Sequence, residues 1–371
     1  MLADFGAEVI KIEIPGRGDP LRYWGPPFLG GESVYFLSLN RNKKSMTLNL
    51  KAQKGREIFF KLVRMSDVLV ENFSPGTMDR LGLGYETVRA VNPRIIYCSI
   101  SGYGRSGPFR ELGGYDLIAQ GESGLMAVTG EPDRPPVKVG VAIADFGAGM
   151  YAAYGILLAL IARERTGKGQ MVDVALLDSA VSWMPVWIGL YSATGEQPKR
   201  LGTAHPLAAP YEAYKTRDIH ITIGCSADEH WRGLCRLLGL EKLAEDPRFA
   251  TNQKRVENRE ELTSILSAVF TTKGGEEWLK QLREAGIPCG PVNTLEKIVS
   301  NPQLLHRDML IEMDHPTAGR IKIVGIPVKL SESPGKIKSP PPLVGEQTEE
   351  ILRGLGYSGE DLRRLREEGT I

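Results

Sequence analysis

Across the first half of the chain, short runs rich in β-branched residues alternate with longer stretches whose apolar positions recur every three or four residues. The runs occupy residues 7–13, 45–50, 67–73, 94–101, 137–144 and 171–177, and helical spacing fills 52–65 and 147–165. Strands alternating with helices predict βα units and a largely parallel sheet, hence an α/β large domain. Around residues 191–206 the pattern dissolves into Gly, Pro, Lys and Thr, as expected of a crossover into a second unit. From Tyr211 a hairpin turning at 216–218 leads into helical segments near 228–238, 259–270 and 275–285, which predicts a smaller α+β domain. A second hairpin over 310–325, a Pro-rich strip ending at 340–345 and two terminal helices complete the reading.

Composition narrows the function classes. The 46 Lys and Arg against 45 Asp and Glu leave a net charge of +1, so no global field steers the chain to nucleic acid or an anionic membrane. Neither partner is expected. The apolar stretch 149–162 is shorter than the roughly 20 residues that span a bilayer, and it reads as a buried helix. Cys98, Cys225, Cys235 and Cys289 stand far apart, and the histidines 205, 220, 230, 306 and 315 show no ligand spacing. Neither a disulfide framework nor a metal site is indicated, and a reducing, cytoplasmic location is the simplest expectation. No signal segment opens the chain, whose first six residues read as the middle of a helix with its glycine stop.

Several motifs offer chemistry. Residues 102–107, GYGRSG, follow a predicted strand as a dinucleotide fingerprint would, but Pro108 and the pair Gly113–Gly114 interrupt the helix such a fingerprint needs. Lys43 and Lys44 precede a strand and suit either phosphate contact or a solvated turn. The loop ENFSPG (71–76), entering a helix that carries Arg80, lies at the carboxyl end of a strand, where ligands bind in open α/β sheets. Asp145 follows an apolar run and precedes Gly147, Gly149 and a long helix. Spacing favours an N-cap there, and an exposed carboxylate nucleophile is the sharper alternative. His205, in GTAHP, stands at the domain junction as either a substrate contact or a turn residue.

Taken together and in order, AEVIKIE…GDPLR, NRNKKSMTLNL, DVLVENFSPGTMDRLG, GYDLIAQGESGLM, GVAIADFGAGMYA, RTGKGQMVDVALLD, GIPCGPVNT, EMDHPTAGRIKIVG and PPPLVGEQTEEIL resemble the class III CoA-transferases, the family of formyl-CoA transferase and carnitine CoA-transferase. The resemblance covers essentially residues 1–371. It implies that Asp145 is the nucleophile, and that Leu48, Lys51, Asn72, Phe73, Ser74, Arg80, Gly114, Tyr115 and Asp116 line the path of coenzyme A and its thioester. Acyl transfer would run through an aspartyl anhydride and an aspartyl-CoA thioester, with no metal or separate cofactor, since CoA arrives as part of the substrate.

The resemblance also implies a Rossmann-like large domain built from residues 1–201 and 307–371, a small domain at 202–306, and an interlocked homodimer. It places a strand and a loop ahead of the point where the chain as written opens. Where the oxalate branch has a glycine-rich lid, this chain has GTAHPLAAPYEAYKT (202–216), so formyl-CoA:oxalate transfer is disfavoured. The succinyl-CoA:dicarboxylate branch is the nearer likeness. An α-methylacyl-CoA racemase is the alternative on this fold, but Tyr115 stands where its histidine base belongs. A non-catalytic CoA-binding subunit would be expected to lack Asp145.

Overall fold

The computed structural model describes residues 1–371. The chain forms two compact units, one made of Met1–Ala119, Ala142–Ala180 and Val299–Ile371, the other of Gln120–Val141 and Val181–Ile298.

In the first unit the elements that position the site are, in chain order, β1 (Val9–Glu13), α1 (Val34–Leu39), β2 (Lys43–Thr47), α2 (Gln53–Met65), β3 (Val68–Glu71), β4 (Ile96–Ser101), α3 (Asp116–Glu122), α4 (Ile143–Thr166) and β5 (Met171–Ala175). Strands β1 and β2 pair in parallel from Val9–Lys43 to Glu13–Thr47. Parallel ladders also join β3 to β4 and β4 to β5, so β4 is the centre of a three-stranded sheet. The α/β class read from the periodicity is present. Helix α2 buries Ile58, Phe59, Leu62 and Val63, a single stripe at helical spacing, against Met46, Leu48, Ile95 and Tyr97. The terminal helices Thr348–Gly354 and Gly359–Glu367 close the same core with Leu352, Leu362 and Leu365. Each fully buried leucine there contributes about 2 kcal/mol relative to exposure.

Helix α4 lies against β4 and β5 along an edge of small residues. Ala144, Ala148, Ala152, Ile156 and Ala159 are buried on it at steps of three and four. A Cβ on Gly155 would come within 2.7 Å of the Val172 side chain, so helix and strand approach as closely as a glycine allows. The expected buried helix is therefore only half realised, because Phe146, Met150, Tyr154, Leu157, Leu158 and Ile161 face outward and are exposed. By length and composition α4 is long and apolar enough to cross a membrane, and its buried alanine edge is also what a core helix shows.

Residues 137–144 do not form the expected strand. Positions 137–142 carry no regular structure, Val137 and Val141 are exposed, and Ile143 already belongs to α4. A β-branched run makes a strand only where a neighbour pairs with it, and none does so here.

The second unit has an antiparallel sheet in the order Cys289–Pro291, His220–Gly224, Tyr211–Lys215. Helices Asp228–Leu238, Arg259–Phe270 and Gly275–Glu284 cover it with Trp231, Leu234, Leu266, Phe270 and Trp278. At the hairpin turn Asp218 accepts the backbone N–H of Gly275 at 2.8 Å, which ties the turn to a helix start. All four cysteines are free, and burial pushes the thiols of Cys98, Cys225 and Cys235 up to about 12. Such thiols are poor nucleophiles at neutral pH.

Candidate functional site

Asp145 is in the first turn of α4, whose N-cap is Ala142, a residue whose methyl cannot accept a hydrogen bond. The expected N-cap role thus falls to another residue. Asp116, at the start of α3, reaches across and accepts the N–H of Ala144 at 2.9 Å. That bond satisfies one of the orphan donors of the helix end and holds two carboxylates near each other. Asp145 itself is exposed, open to a ligand. Nearby protein that withholds water, and then the charge of Asp116, raise its pKa above the ordinary aspartate value. A carboxylate so placed is more basic, and as an anion more nucleophilic, than one in water.

Two glycines bring the loop bearing Asp116 to the end of β4. A Cβ on Gly102 would sit 2.6 Å from the Cα of Gly114, and one on Gly114 would sit 2.5 Å from the Cα of Gly102. Main chain touches main chain there, a contact only glycine permits. No helix follows GYGRSG before Asp116, so the dinucleotide reading fails on the structure as it did on Pro108. Tyr115, beside the glycine pair, is 72% exposed.

Around the carboxyl ends of β3 and β4 lies a cavity of about 130 Å³. Phe73, Ser74, Thr77, Ser101 and Arg105 are among its lining. Its floor is Glu71, a buried carboxylate that accepts from the hydroxyl of Ser99 and, at 3.0 Å, from the N–H of Phe73. Asn72 donates to the carbonyl of Ile100 at 2.7 Å and so stitches the two strand ends together. Arg80 folds back on its own turn, donating to Pro75 O at 3.1 Å and Thr77 Oγ1 at 2.9 Å.

The structure thus places Asn72, Phe73 and Ser74 on one loop with Arg80 on the short helix that follows it, and Asp116, after Gly114 and Tyr115, at the helix end that carries Asp145, all in the first unit. Leu48 is 2% exposed within the core and its N–H is taken by Glu13 O at 2.8 Å, so it is not open to contact, while Lys51 is exposed in the turn before α2. His205 belongs to the second unit. Lys44 is held by Glu8 at 2.7 Å and Glu350 at 2.8 Å. Lys43 donates to Asn40 Oδ1 at 2.9 Å, and burial together with nearby Lys11 lowers its pKa to about 8. Both lysines lie on β2 rather than in a turn.

Sequence reasoning missed Glu71, Arg105 and Tyr35. Arg105 pairs with Asp79 at 3.0 Å and approaches Glu71 at 3.8 Å, and only its place inside GYGRSG hinted at it. Tyr35, on α1, is partly exposed and packs at a tilt against Trp24 with ring centroids 5.4 Å apart. Burial, then the charges of Asp145 and Asp116, raise its phenol pKa, which sets this ring in the field of both carboxylates.

Comparison with known proteins bears on what such a site does. The family model described as CoA-transferase family III matches residues 1–348. The chain is 44% identical over 371 residues to the succinyl-CoA:glutarate CoA-transferase of Mus musculus, covering 100% of this chain and 85% of that protein. It is 42% identical over 332 residues to the acetyl-CoA:oxalate CoA-transferase of Acetobacter aceti, covering 89% of this chain and 84% of that one. Among solved structures, a CAIB/BAIF family protein from Brucella suis superposes with a TM-score of 0.84 at 41% identity, over 95% of this chain and 93% of that chain. With a family match across nearly the whole chain and relatives of this identity, the chain belongs to CoA-transferase family III and is a transferase.

Proposed function

We propose that this protein moves coenzyme A from succinyl-CoA to a dicarboxylic acid, with Asp145 as the covalent nucleophile. One observation carries the reading. Asp145 is an exposed carboxylate whose pKa is raised by its surroundings, beside a second carboxylate that is bound to the same helix end. The names of the relatives, which act on glutarate and on oxalate, support a dicarboxylic acceptor.

In the first step the Asp145 carboxylate attacks the thioester carbonyl, the C–S bond breaks, and CoA thiolate leaves a mixed anhydride. The thiolate then attacks the aspartyl carbonyl, the anhydride C–O bond breaks, and the donor acid departs as carboxylate. The acceptor carboxylate attacks the aspartyl-CoA thioester, and the released thiolate attacks the acceptor's carbonyl, which returns Asp145 unchanged. No proton is gained or lost overall. Splitting one exchange into such steps is what covalent catalysis supplies.

Coenzyme A enters only as part of the substrate. Asn72, Phe73, Ser74 and Arg80 border its path at the cavity, Lys51 flanks it beside the buried Leu48, and Gly114, Tyr115 and Asp116 line the approach to the reacting carbonyl. His205 serves the acid. The enzyme works in the cytoplasm as a homodimer, and the exposed apolar face of α4 supports a partner subunit, because a patch of this kind on a soluble protein marks an interaction surface.

The test is to incubate the protein with succinyl-CoA and a panel of carboxylic acids, trap with hydroxylamine and map the adduct by mass spectrometry. New acyl-CoA products with a hydroxamate on Asp145 are expected. No adduct, with solvent deuterium entering the α-carbon of a 2-methylacyl-CoA, would move the assignment to a racemase.

A further inference from the structure

The loop that joins β3 to the short helix Thr77–Arg80 begins at one carboxylate and ends at another, Glu71 on the strand and Asp79 on the helix. A single side chain faces both. Nη2 of Arg105 donates to Asp79 Oδ2 at 3.0 Å, and its Nη1 stands 3.8 Å from Glu71 Oε1. The two contacts use different terminal nitrogens, so the planar guanidinium lies as a fork across the two ends of one loop. Between those ends Phe73 and Ser74 are exposed, and only a fixed backbone presents such side chains to a ligand in one geometry.

Arg105 is itself aimed. Gly104 has a φ of +83°, its N–H donates to Ser101 Oγ at 2.9 Å, and the next N–H, that of Arg105, donates to Asp173 Oδ2 on β5 at 3.0 Å. The backbone that carries the fork is thus pinned to the sheet in a turn that suits glycine. The near end of the loop is tied to β4 by Asn72, which donates to Ile100 O, and by Glu71, which accepts from Ser99. At the far end stand the buried Met78 and the Asp79–Arg105 pair. Asp79 and Arg105 also border a second cavity, of about 260 Å³, which gives that end room to shift once the pair is broken. The lining speaks against Arg105 as a ligand for phosphate. Its charge meets Asp79 and Glu71, Arg110 pairs with Glu111 at 3.1 Å, and the buried carboxylate on the cavity floor repels an anion.

We propose that Arg105 is a positioning residue for coenzyme A, a clasp that holds the loop from Glu71 to Asp79 in the conformation that receives the CoA moiety. This rests on the transferase reading above, in which that loop borders the CoA path. A clasp acts on binding and leaves the reacting carbonyl alone. An ion pair whose carboxylate is half exposed contributes little to overall stability, so its removal spares the fold. Two donors test the idea, succinyl-CoA and succinyl-N-acetylcysteamine, which carries the same acyl group and thioester but lacks the nucleotide and most of the pantetheine arm. The readout is the rate of hydroxamate formation on Asp145 in the intact protein as a function of thioester concentration.

In Arg105→Gln the half-saturating concentration of succinyl-CoA is expected to rise at least about fivefold, the cost of ordering one or two loop side chains on binding, while the limiting rate changes less than about twofold. The preference for succinyl-CoA over the truncated thioester, taken as the ratio of rates at low concentration, falls by the same factor. Asp79→Asn shows a loss of the same kind, and the double variant is no worse than the weaker single one, because both break one contact. Equal losses on both thioesters in Arg105→Gln, a fall in the limiting rate alone, an unchanged half-saturation or no preference in wild type would overturn the proposal. Absence of any Asp145 hydroxamate in wild type with either thioester is the separate result that sinks the transferase reading itself, and this inference with it.

Discussion

Asp116 Oδ1 accepts the backbone N–H of Ala144 at 2.9 Å, one residue before Asp145. One carboxylate therefore does two opposed things. As a cap it stabilises the start of α4, and as a charge it makes ionisation of its neighbour harder.

The substitution Asp116→Asn separates these effects, since the amide keeps an acceptor oxygen and loses the charge. Asp145 has its pKa raised above the ordinary aspartate value, and the nucleophile proposed there must be ionised, so activity is expected to be lost as pH falls through that raised pKa. Removing the Asp116 charge lowers the pKa and moves the acid limb of kcat/KM for the acyl-CoA donor to lower pH. Asp116→Ala also removes the cap, at about 1 kcal/mol. A pH–rate profile of the three proteins checks this, and an acid limb that stays put in Asp116→Asn would assign it to another group.

At the glycine contact, Gly102→Ala or Gly114→Ala puts a methyl 2.6 or 2.5 Å from the opposing Cα, and one backbone must move. A displacement on the order of 1 Å at a positioning loop costs up to about 100-fold, so each variant is expected to lose at least about tenfold in kcat/KM. The double variant should lose little more than either single one, because both break the same contact. Steady-state kinetics on the three variants, with far-UV circular dichroism to verify folding, decides it.

Arg22 donates to both oxygens of Glu13 at 2.7 Å with both side chains buried, and it also meets Pro342 O at 3.0 Å. Burial alone would raise the carboxyl pKa, but hydrogen bonds from Arg22, Ser45 and the Asp19 N–H hold it below the usual glutamate range. Arg22→Met leaves that charge buried and unpaired, which costs about 3–5 kcal/mol. The sign of its pH dependence follows. Wild-type Glu13, with a depressed pKa, stabilises the fold above the ordinary glutamate range and loses that contribution as pH falls through the depressed value. In Arg22→Met the pKa is raised instead, so the deficit shrinks as the medium is acidified. Urea unfolding at neutral and mildly acidic pH measures both slopes.

For the proposed homodimer, Leu157 and Ile161 stand exposed on α4 at 50% and 54%. Replacing both by glutamate is expected to convert dimer to monomer in size-exclusion chromatography with light scattering. A wild-type protein that runs as a monomer at micromolar concentration would remove the dimer from the proposal.

Periodicity found the helix at 53–65, the hairpin at 211–224 and the helices at 228–238 and 259–270, because in each of them local spacing and tertiary burial agree. It failed at 137–144, where a strand-like run meets no pairing partner. The candidate site was legible in pieces. Asp145 stood out for its glycine neighbours and by resemblance, but spacing alone made it the cap of its own helix. The observed cap comes from Asp116, a tertiary contact that no local pattern encodes. Tyr35 and Arg105 escaped for the same reason, since each meets its partners only after distant segments have packed.

The touching backbones of Gly102 and Gly114 tie residues 103–113 into a loop closed at its neck. Closing a loop once makes its later lengthening cheap, because the entropy cost grows only with the logarithm of length. The segment is in that sense a cassette: Arg105 and Arg110, which line the cavity, ride on it, while Ser101 before the neck and Asp116 after it do not. Grafting a different loop between the two glycines would recast the cavity wall and leave the carboxylate pair at the start of α4 where it is.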